Sequence, residues 1–150
     1  SLNTNLGGNM AKKTAELLNE LSDKNTDLKE YFRADPSSFT NTSIKGFWEK
    51  MIKKAEKTKS DIINKADLSY CYFYDVINGR KIPSKDKIIR IALAMGLNLD
   101  ECQEALRISG KSALYPRIKR DSVIIFAVNH AYSVYKTNDL LAEYGEELLK

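Results

Sequence analysis

The helical periodicity of its apolar residues most constrains this chain. From residue 47 to residue 106, apolar side chains recur at the three- and four-residue spacing of amphipathic helices, in short runs. Side chains that accept hydrogen bonds from unpaired amides precede the runs, and residues that tolerate a left-handed backbone follow them. The pattern therefore predicts an all-α fold built from short helices.

Five consecutive helices are predicted in this segment. The first carries the buried stripe Phe47, Trp48, Met51, Ile52 and Ala55, with lysines on the opposite face. Thr58 and Asp61 form a capping-box pattern at the start of the second helix, and Ser69 is placed to cap the third. The remaining boundaries are an exit at Asn78-Gly79, a start at Pro83-Ser84, a stop at Gly96 and a cap formed by Asn98 with Glu101.

The chain divides into four predicted parts. Residues 1–9 are polar and are typical of a disordered leader or a cloning remnant. Residues 10–44 are expected to form two short amphipathic helices, the second starting at Thr26-Asp27, followed by a linker around Pro36. Residues 45–110 form the main helical domain, and residues 111–150 are predicted to be an αα-hairpin, packed on the bundle or at a dimer interface.

A weak internal repeat accompanies this hairpin. Residues 86–110 align with residues 121–145 without gaps, at a constant offset of 35 and with five identical residues. An apolar run as continuous as residues 123–128 must be covered, either by the bundle or by a second subunit. Chance similarity between two amphipathic hairpins explains the repeat equally well.

Composition argues against several classes of protein. Cys71 and Cys102 are too few for a disulfide framework and too isolated for a metal site, so we expect free thiols. No apolar run approaches the roughly 20 residues of a membrane span, and no signal sequence opens the chain, so we expect a cytoplasmic protein. His130 belongs to no nucleophile motif, and no phosphate-cradling loop is present. We therefore expect no enzyme activity, no cofactor and no metal.

Charge is distributed unevenly along the chain, whose net charge is +4. Residues 45–120 carry 17 Lys/Arg against 9 Asp/Glu, whereas both flanking segments are slightly acidic. A basic surface attracts phosphate by Coulomb steering and counterion release, although basic helices are often only solvated faces.

Several motifs of this basic segment resemble a known family. They are Leu68-Ser69, apolar Phe73 and Val76, Asn78-Gly79-Arg80-Lys81, Pro83-Ser84, and the Ala-Leu-Ala-Met-Gly-Leu-Asn-Leu-Asp-Glu run of residues 92–101. In spacing and residue type they resemble the Xre/Cro-like, or lambda-repressor-like, helix-turn-helix regulators of bacteria and phages. The resemblance implies a five-helix bundle whose second helix crosses the DNA backbone and whose third helix enters the major groove of double-stranded DNA, commonly as a homodimer.

The resemblance also implies individual contacts. The expected phosphate contacts are Lys59, Arg80, Lys81 and Lys85. The expected base-facing residues are Tyr70, Cys71, Tyr74 and Asp75, which differ from the Gln, Asn and Arg side chains that make bidentate base contacts. Asp75 is suited to accept from a cytosine amino group.

Two scaffold positions also depart from the family pattern. Ile63 stands where a small residue is usual, so the third helix should move outward unless Ala66 or Cys71 makes room. Asp67 stands at a turn position usually occupied by Gly, and Asp tolerates the left-handed conformation.

A protein partner is the alternative to DNA. Tyr70 and Tyr74 share one helix face, and exposed tyrosines at this spacing are low-entropy anchors typical of protein interfaces. The sequence thus favours a DNA-binding transcriptional regulator, with the outer helices supplying dimerisation or a partner surface, over an adaptor that keeps the fold and binds a protein.

Overall fold

The computed structural model describes residues 13–34 and 43–150, and within these two ranges every regular element is an α-helix. The all-α prediction is confirmed. The predictions for the leader, for Met10 and for the linker around Pro36 lie outside the described residues. The helices of the described ranges are α1 Thr14–Ser22, α2 Leu28–Ala34, α3 Ile44–Ala55, α4 Lys59–Ala66, α5 Tyr70–Ile77, α6 Lys85–Met95, α7 Leu99–Ile108, α8 Lys119–Asn129 and α9 Val134–Glu143.

The chain forms two compact units, Ser1–Thr42 and Ser43–Lys150. In the first unit the predicted start at Thr26-Asp27 is confirmed, because the Asp27 carboxylate accepts a hydrogen bond from the Lys29 amide at 3.0 Å, just before α2. Among residues 13–34, the large apolar side chains that are exposed are Leu18, Leu21, Leu28 and Phe32.

Local capping fixes the helix boundaries of the second unit. The Thr58 hydroxyl accepts from the Asp61 amide at 3.0 Å, and the Ser69 hydroxyl accepts from the Tyr72 amide at 3.2 Å. Asn98 and Glu101 form the reciprocal capping box, at 2.8 and 2.9 Å. Each bond satisfies an amide that the first helical turn leaves without a partner. Thr58, Ser69 and Asn98 are therefore confirmed as N-caps, and the Asn98–Glu101 capping box is complete, whereas only the Thr58 half of the predicted Thr58–Asp61 box is present.

Helix α6 is the centre of the second unit. Eight consecutive residues of it, from Ile88 to Met95, are buried, and the helix contacts α3, α4, α7 and α9. Trp48 and Phe73 are fully buried in the same core. A helix that is apolar around most of its circumference must be surrounded on most sides, and α6 is.

The 35-residue repeat is present in the backbone. Gly96 and Ala131, which are 35 residues apart, both adopt the left-handed conformation just after a helix, with φ of 74° and 54°. Helices α7 and α9 begin and end at equivalent positions, and Asn98 and Ser133 both act as their N-caps. We call residues 84–115 hairpin A and residues 119–150 hairpin B.

Side chains cross reciprocally between the two hairpins. Arg120 of hairpin B forms a bidentate pair with Asp86 of hairpin A, at 3.0 and 3.2 Å. The equivalent residues exchange roles, because the Lys85 ammonium of hairpin A lies 3.9 Å from the Asp121 carboxylate of hairpin B. Such an exchange is what a two-fold relation between two copies produces.

The segments that follow α7 and α9 repeat the same pattern. The amide of Tyr115 donates to Asp121 at 2.9 Å, and the amide of Lys150, 35 residues later, donates to Asp86 at 3.0 Å. Leu114 and Leu149 are both buried beside these bonds. Hairpin B therefore packs on hairpin A within one chain, and its apolar residues Ile124 and Leu141 join the common core.

Candidate nucleic-acid interface

A tight turn joins α4 to α5. Asp67 ends α4 in the left-handed conformation, with φ of 56° and ψ of 53°, as its residue type allows. The amide of Leu68 then donates back to the Ile63 carbonyl at 3.2 Å. Ile63 and Ala66 are both buried, whereas Cys71 is exposed. Of the two small residues expected to make room for Ile63, only Ala66 therefore lies in the interior.

A buried arginine supports this turn from the side of the core. The guanidinium of Arg90 donates to the carbonyls of Ala66 and Asp67, at 2.9 and 3.2 Å. These carbonyls lie at the negative end of α4, where the helix leaves its last acceptors without amide partners. Arg90 therefore fixes the geometry between α4 and α5 from the core side.

Two tyrosines dominate the outer face of α5. The rings of Tyr70 and Tyr74 lie 4.6 Å apart between centroids, and their hydroxyls are 3.3 Å apart. Tyr70 is 64% exposed, and Tyr74 is half-buried. The hydrogen bond with Tyr74 raises the pKa of Tyr70 above its ordinary value, so Tyr70 stays a neutral hydrogen-bonding group near pH 7.

The end of α5 carries an ion pair. The Arg80 Nε donates to the Asp75 carboxylate at 3.1 Å, while the amides of Arg80 and Lys81 both donate to the Asp75 carbonyl. The structure thus brings a predicted base-facing residue together with a predicted phosphate contact. Both side chains are exposed enough for water to screen the pair, so it holds Arg80 only weakly.

Two lysines lie against tyrosine rings of α5. The Lys59 ammonium is 5.4 Å from the centroid of Tyr74, and the Lys81 ammonium is 5.2 Å from the centroid of Tyr72. Both lysines are exposed. The stacks limit the positions of the two cations while leaving their charge open to solvent.

A groove of about 370 Å³ extends this basic surface from Lys59 onto α3. Its cationic lining residues are Lys45, Lys53 and Lys59, and its one carboxylate is Glu49. Sequence reasoning did not assign Lys45 and Lys53 as contacts, although both lie on the lysine-rich face opposite the buried stripe of α3. The lysines of that face were the sequence feature from which these two contacts could have been predicted.

Lys85 is engaged elsewhere. Its ammonium donates to the Ser112 hydroxyl at 2.9 Å and to the Ala113 carbonyl at 3.4 Å, and its side chain is only 28% exposed. These contacts hold the chain between α7 and α8. The structure therefore places Lys85 against Ser112, Ala113 and Asp121. The other predicted contacts lie on α5 or beside it: Lys59, Tyr70, Cys71, Tyr74, Asp75, Arg80 and Lys81.

Metal binding and thiol chemistry have little support among the described residues. No group of three or more His, Cys, Asp or Glu side chains in residues 13–34 and 43–150 is placed to hold a metal ion. Burial raises the pKa of the Cys102 thiol to about 12, which makes it a poor nucleophile. In the same ranges, no helix is both long and apolar enough to cross a membrane.

The chain was compared with protein-family models, curated proteins and solved structures, and none of them matches it.

Proposed function

We propose that this chain is a non-catalytic, DNA-binding transcriptional regulator of the Xre/Cro type. In this proposal α3 to α7 form the five-helix bundle, α5 faces the major groove, and the protein acts as a homodimer in a bacterial cytoplasm. One observation carries the proposal: solvent-accessible cations border the exposed face of α5, with Lys59 beside Tyr74, Arg80 beside Asp75 and Lys81 beside Tyr72.

Phosphate contacts supply the affinity in this proposal. Lys59, together with Lys45 and Lys53 of the groove, binds one stretch of the DNA backbone, and Arg80 with Lys81 binds the next. Each neutralised phosphate releases counterions, so affinity falls steeply as the salt concentration rises. Lys85 is left out, because Ser112 and Ala113 already hold its ammonium.

The α5 side chains supply the selectivity. When Arg80 turns to a phosphate, Asp75 is left free to accept from a cytosine amino group. When the Tyr70 hydroxyl turns from Tyr74 to the DNA, it donates to a base acceptor. The packed rings of Tyr70 and Tyr74 are stiff and apolar enough to contact a thymine methyl group. We expect fewer bidentate contacts than Arg, Asn or Gln would make, and therefore modest discrimination per base pair.

The test is selection of the full-length protein against random duplex DNA, followed by anisotropy titration of enriched sequences at several salt concentrations. Lys59→Ala with Arg80→Ala should weaken binding to every duplex and reduce the salt slope by about 2, because each substitution leaves one phosphate without its cation. The matched control removes the same charge from the hairpins, through Lys111→Ala with Lys136→Ala, and should leave the slope unchanged. Equal slopes for both double variants would refute the assigned contacts.

The Tyr70/Tyr74 pair favours one alternative, a protein-binding adaptor. A stiff, exposed aromatic pair with a hydroxyl-to-hydroxyl contact of 3.3 Å resembles the anchors of protein interfaces. If no duplex is enriched and the remaining binding vanishes at moderate salt, the adaptor function is favoured. Tyr70→Ala with Tyr74→Ala should then abolish capture of the partner, while Lys59→Ala should have little effect on it.

A further inference from the structure

Equivalent faces of the two hairpins differ in what covers them. On hairpin A, the face is made by residues that are buried beneath other helices of the chain: Ile91, Met95 and Leu97. Thirty-five residues later, on hairpin B, the corresponding residues are Phe126, His130 and Tyr132. Ile91 is fully buried, whereas Phe126 is 45% exposed, and His130 is exposed as well.

Helices of the chain itself fill the site on hairpin A. Helix α4 packs along α6, and the end of α3 reaches the last turn of α6. There the Lys57 ammonium donates to the Ala94 carbonyl at 3.3 Å, and Lys54 pairs with the carboxylate of Glu101. This face of the repeat is therefore a helix-binding surface with an ion pair at its edge.

On hairpin B the corresponding surface is aromatic and rigid. The rings of Phe126 and His130 stack at 3.9 Å between centroids, and His130 Nδ1 is 2.8 Å from the Phe126 carbonyl. Tyr132 packs edge-on against Phe126 at 5.9 Å. Because these contacts already restrict the rings, a partner would lose little side-chain entropy on binding them.

The charge at the edge is reversed between the hairpins. Lys136 occupies the position equivalent to Glu101, and its exposed ammonium lies 4.2 Å from the centroid of the Tyr132 ring. A helix that binds hairpin B in the way α3 binds hairpin A must present a carboxylate where α3 presents Lys54. A second copy's α3 would set Lys54 against Lys136, so the surface disfavours self-association by that route.

We propose that Phe126, His130, Tyr132 and Lys136 form a docking site for an amphipathic helix of another protein, with an acidic residue at its edge. The apolar stripe of that helix lies on the rings, and its carboxylate pairs with Lys136. The site lies on α8 and α9 and shares no residue with the α5 surface, so it does not depend on the proposed DNA binding.

The test uses displayed amphipathic peptides of about 18 residues, or five helical turns, with their non-apolar positions randomised. Selection is run against the full-length protein, with Phe126→Ala as counter-bait and Tyr115→Ala as the control, because Tyr115 is an exposed aromatic residue outside the site. We expect enriched peptides to carry an Asp or Glu and to bind Phe126→Ala at least about tenfold more weakly than wild type. Binding to Tyr115→Ala should match wild type.

A charge swap tests the partner chemistry. Against Lys136→Glu the same library should yield peptides with Lys or Arg in place of Asp or Glu. The proposal is overturned if enriched peptides bind Phe126→Ala as tightly as wild type, or if the swap leaves the selected charge unchanged. It is also overturned if no peptide is enriched and the protein dimerises in sedimentation through this face. In each case the salt-dependent DNA titration of Phe126→Ala remains a separate readout of the α5 surface.

Discussion

Arg90 is the buried cation on which three segments of the second unit converge. Its guanidinium donates to Ala66 at the end of α4, to Asp67 in the turn, and to the Leu149 carbonyl at 3.2 Å. We predict that Arg90→Met, which keeps the length and the apolar stem of the side chain, loosens all three segments together.

The magnitude follows from burial. Two of the three bonds, those to Ala66 and Leu149, are buried, and a hydrogen bond from a charged donor contributes about 1.5–3 kcal/mol. The nearby Asp67 carboxylate is 92% exposed, so its attraction to Arg90 adds little. Methionine also removes the cost of burying a charge, which offsets part of the loss. We therefore expect the free energy of unfolding to fall by about 3 kcal/mol, at the upper end of the roughly 0.5–3 kcal/mol that most destabilising substitutions cost.

Urea unfolding followed by tryptophan fluorescence measures this change. Trp48 is the only tryptophan of the chain and is fully buried in the second unit, so its emission reports the unfolding of that unit. The matched control is Arg107→Met, which removes an exposed arginine paired with Glu104 and should change stability by less than about 0.5 kcal/mol.

Hydrogen exchange locates the effect. The Leu68 amide donates across the turn to the Ile63 carbonyl, so its protection should fall further in Arg90→Met than global stability alone requires. If the urea midpoint and slope of Arg90→Met equal those of Arg107→Met, the three carbonyl contacts contribute nothing net and the reasoning is refuted.

Two further predictions concern the hairpins. Burial favours the neutral form of Asp86, but the bonds from Arg120 and the Lys150 amide hold the pKa of its carboxyl below the ordinary value of 3.8. The stability that the ionised carboxylate contributes is therefore present above about pH 4 and is lost as the pH falls through the lowered pKa. In urea titrations at stepped pH, Asp86→Asn should reduce the loss of unfolding free energy on acidification. An unchanged loss would contradict this prediction. Ala131 adopts a left-handed φ of 54°, so Ala131→Gly should raise the free energy of unfolding by about 1 kcal/mol, whereas Ala142→Gly within α9 should lower it by a similar amount; equal signs would exclude the strain argument.

Local chemistry explains which features could be predicted from the sequence. Thr58, Ser69 and Asn98 act on amides two or three residues away, so their roles are readable from a short window. The left-handed conformation of Asp67 is equally local, because it follows from the residue type at the end of a short helix. Helix number, caps and the class of fold were predictable for this reason.

Long-range pairing explains what could not be predicted. Nothing near Arg90 in the sequence indicates that it is buried, because its acceptors lie 24 residues before it and 59 residues after it. The phosphate contact assigned to Lys85 from its position after the third helix stays a prediction, but that position gave no indication of its partners in the segment that follows α7. The 35-residue repeat could have indicated this role, because Lys85 is equivalent to Arg120, and each is followed by an aspartate, Asp86 or Asp121.

The bond from Arg90 to Leu149 also limits how strongly the two proposed surfaces can influence each other. Hairpin B reaches the α4–α5 turn through that carbonyl, so a partner that displaced the end of hairpin B would remove one charge-assisted hydrogen bond from the support of the turn. One such bond is worth about 1.5–3 kcal/mol, or roughly one to two orders of magnitude in an equilibrium constant. Docking on hairpin B can therefore change DNA affinity by at most about that factor through Arg90. A larger effect would require a route other than Arg90, such as the shared core or direct contact of the docked partner with DNA.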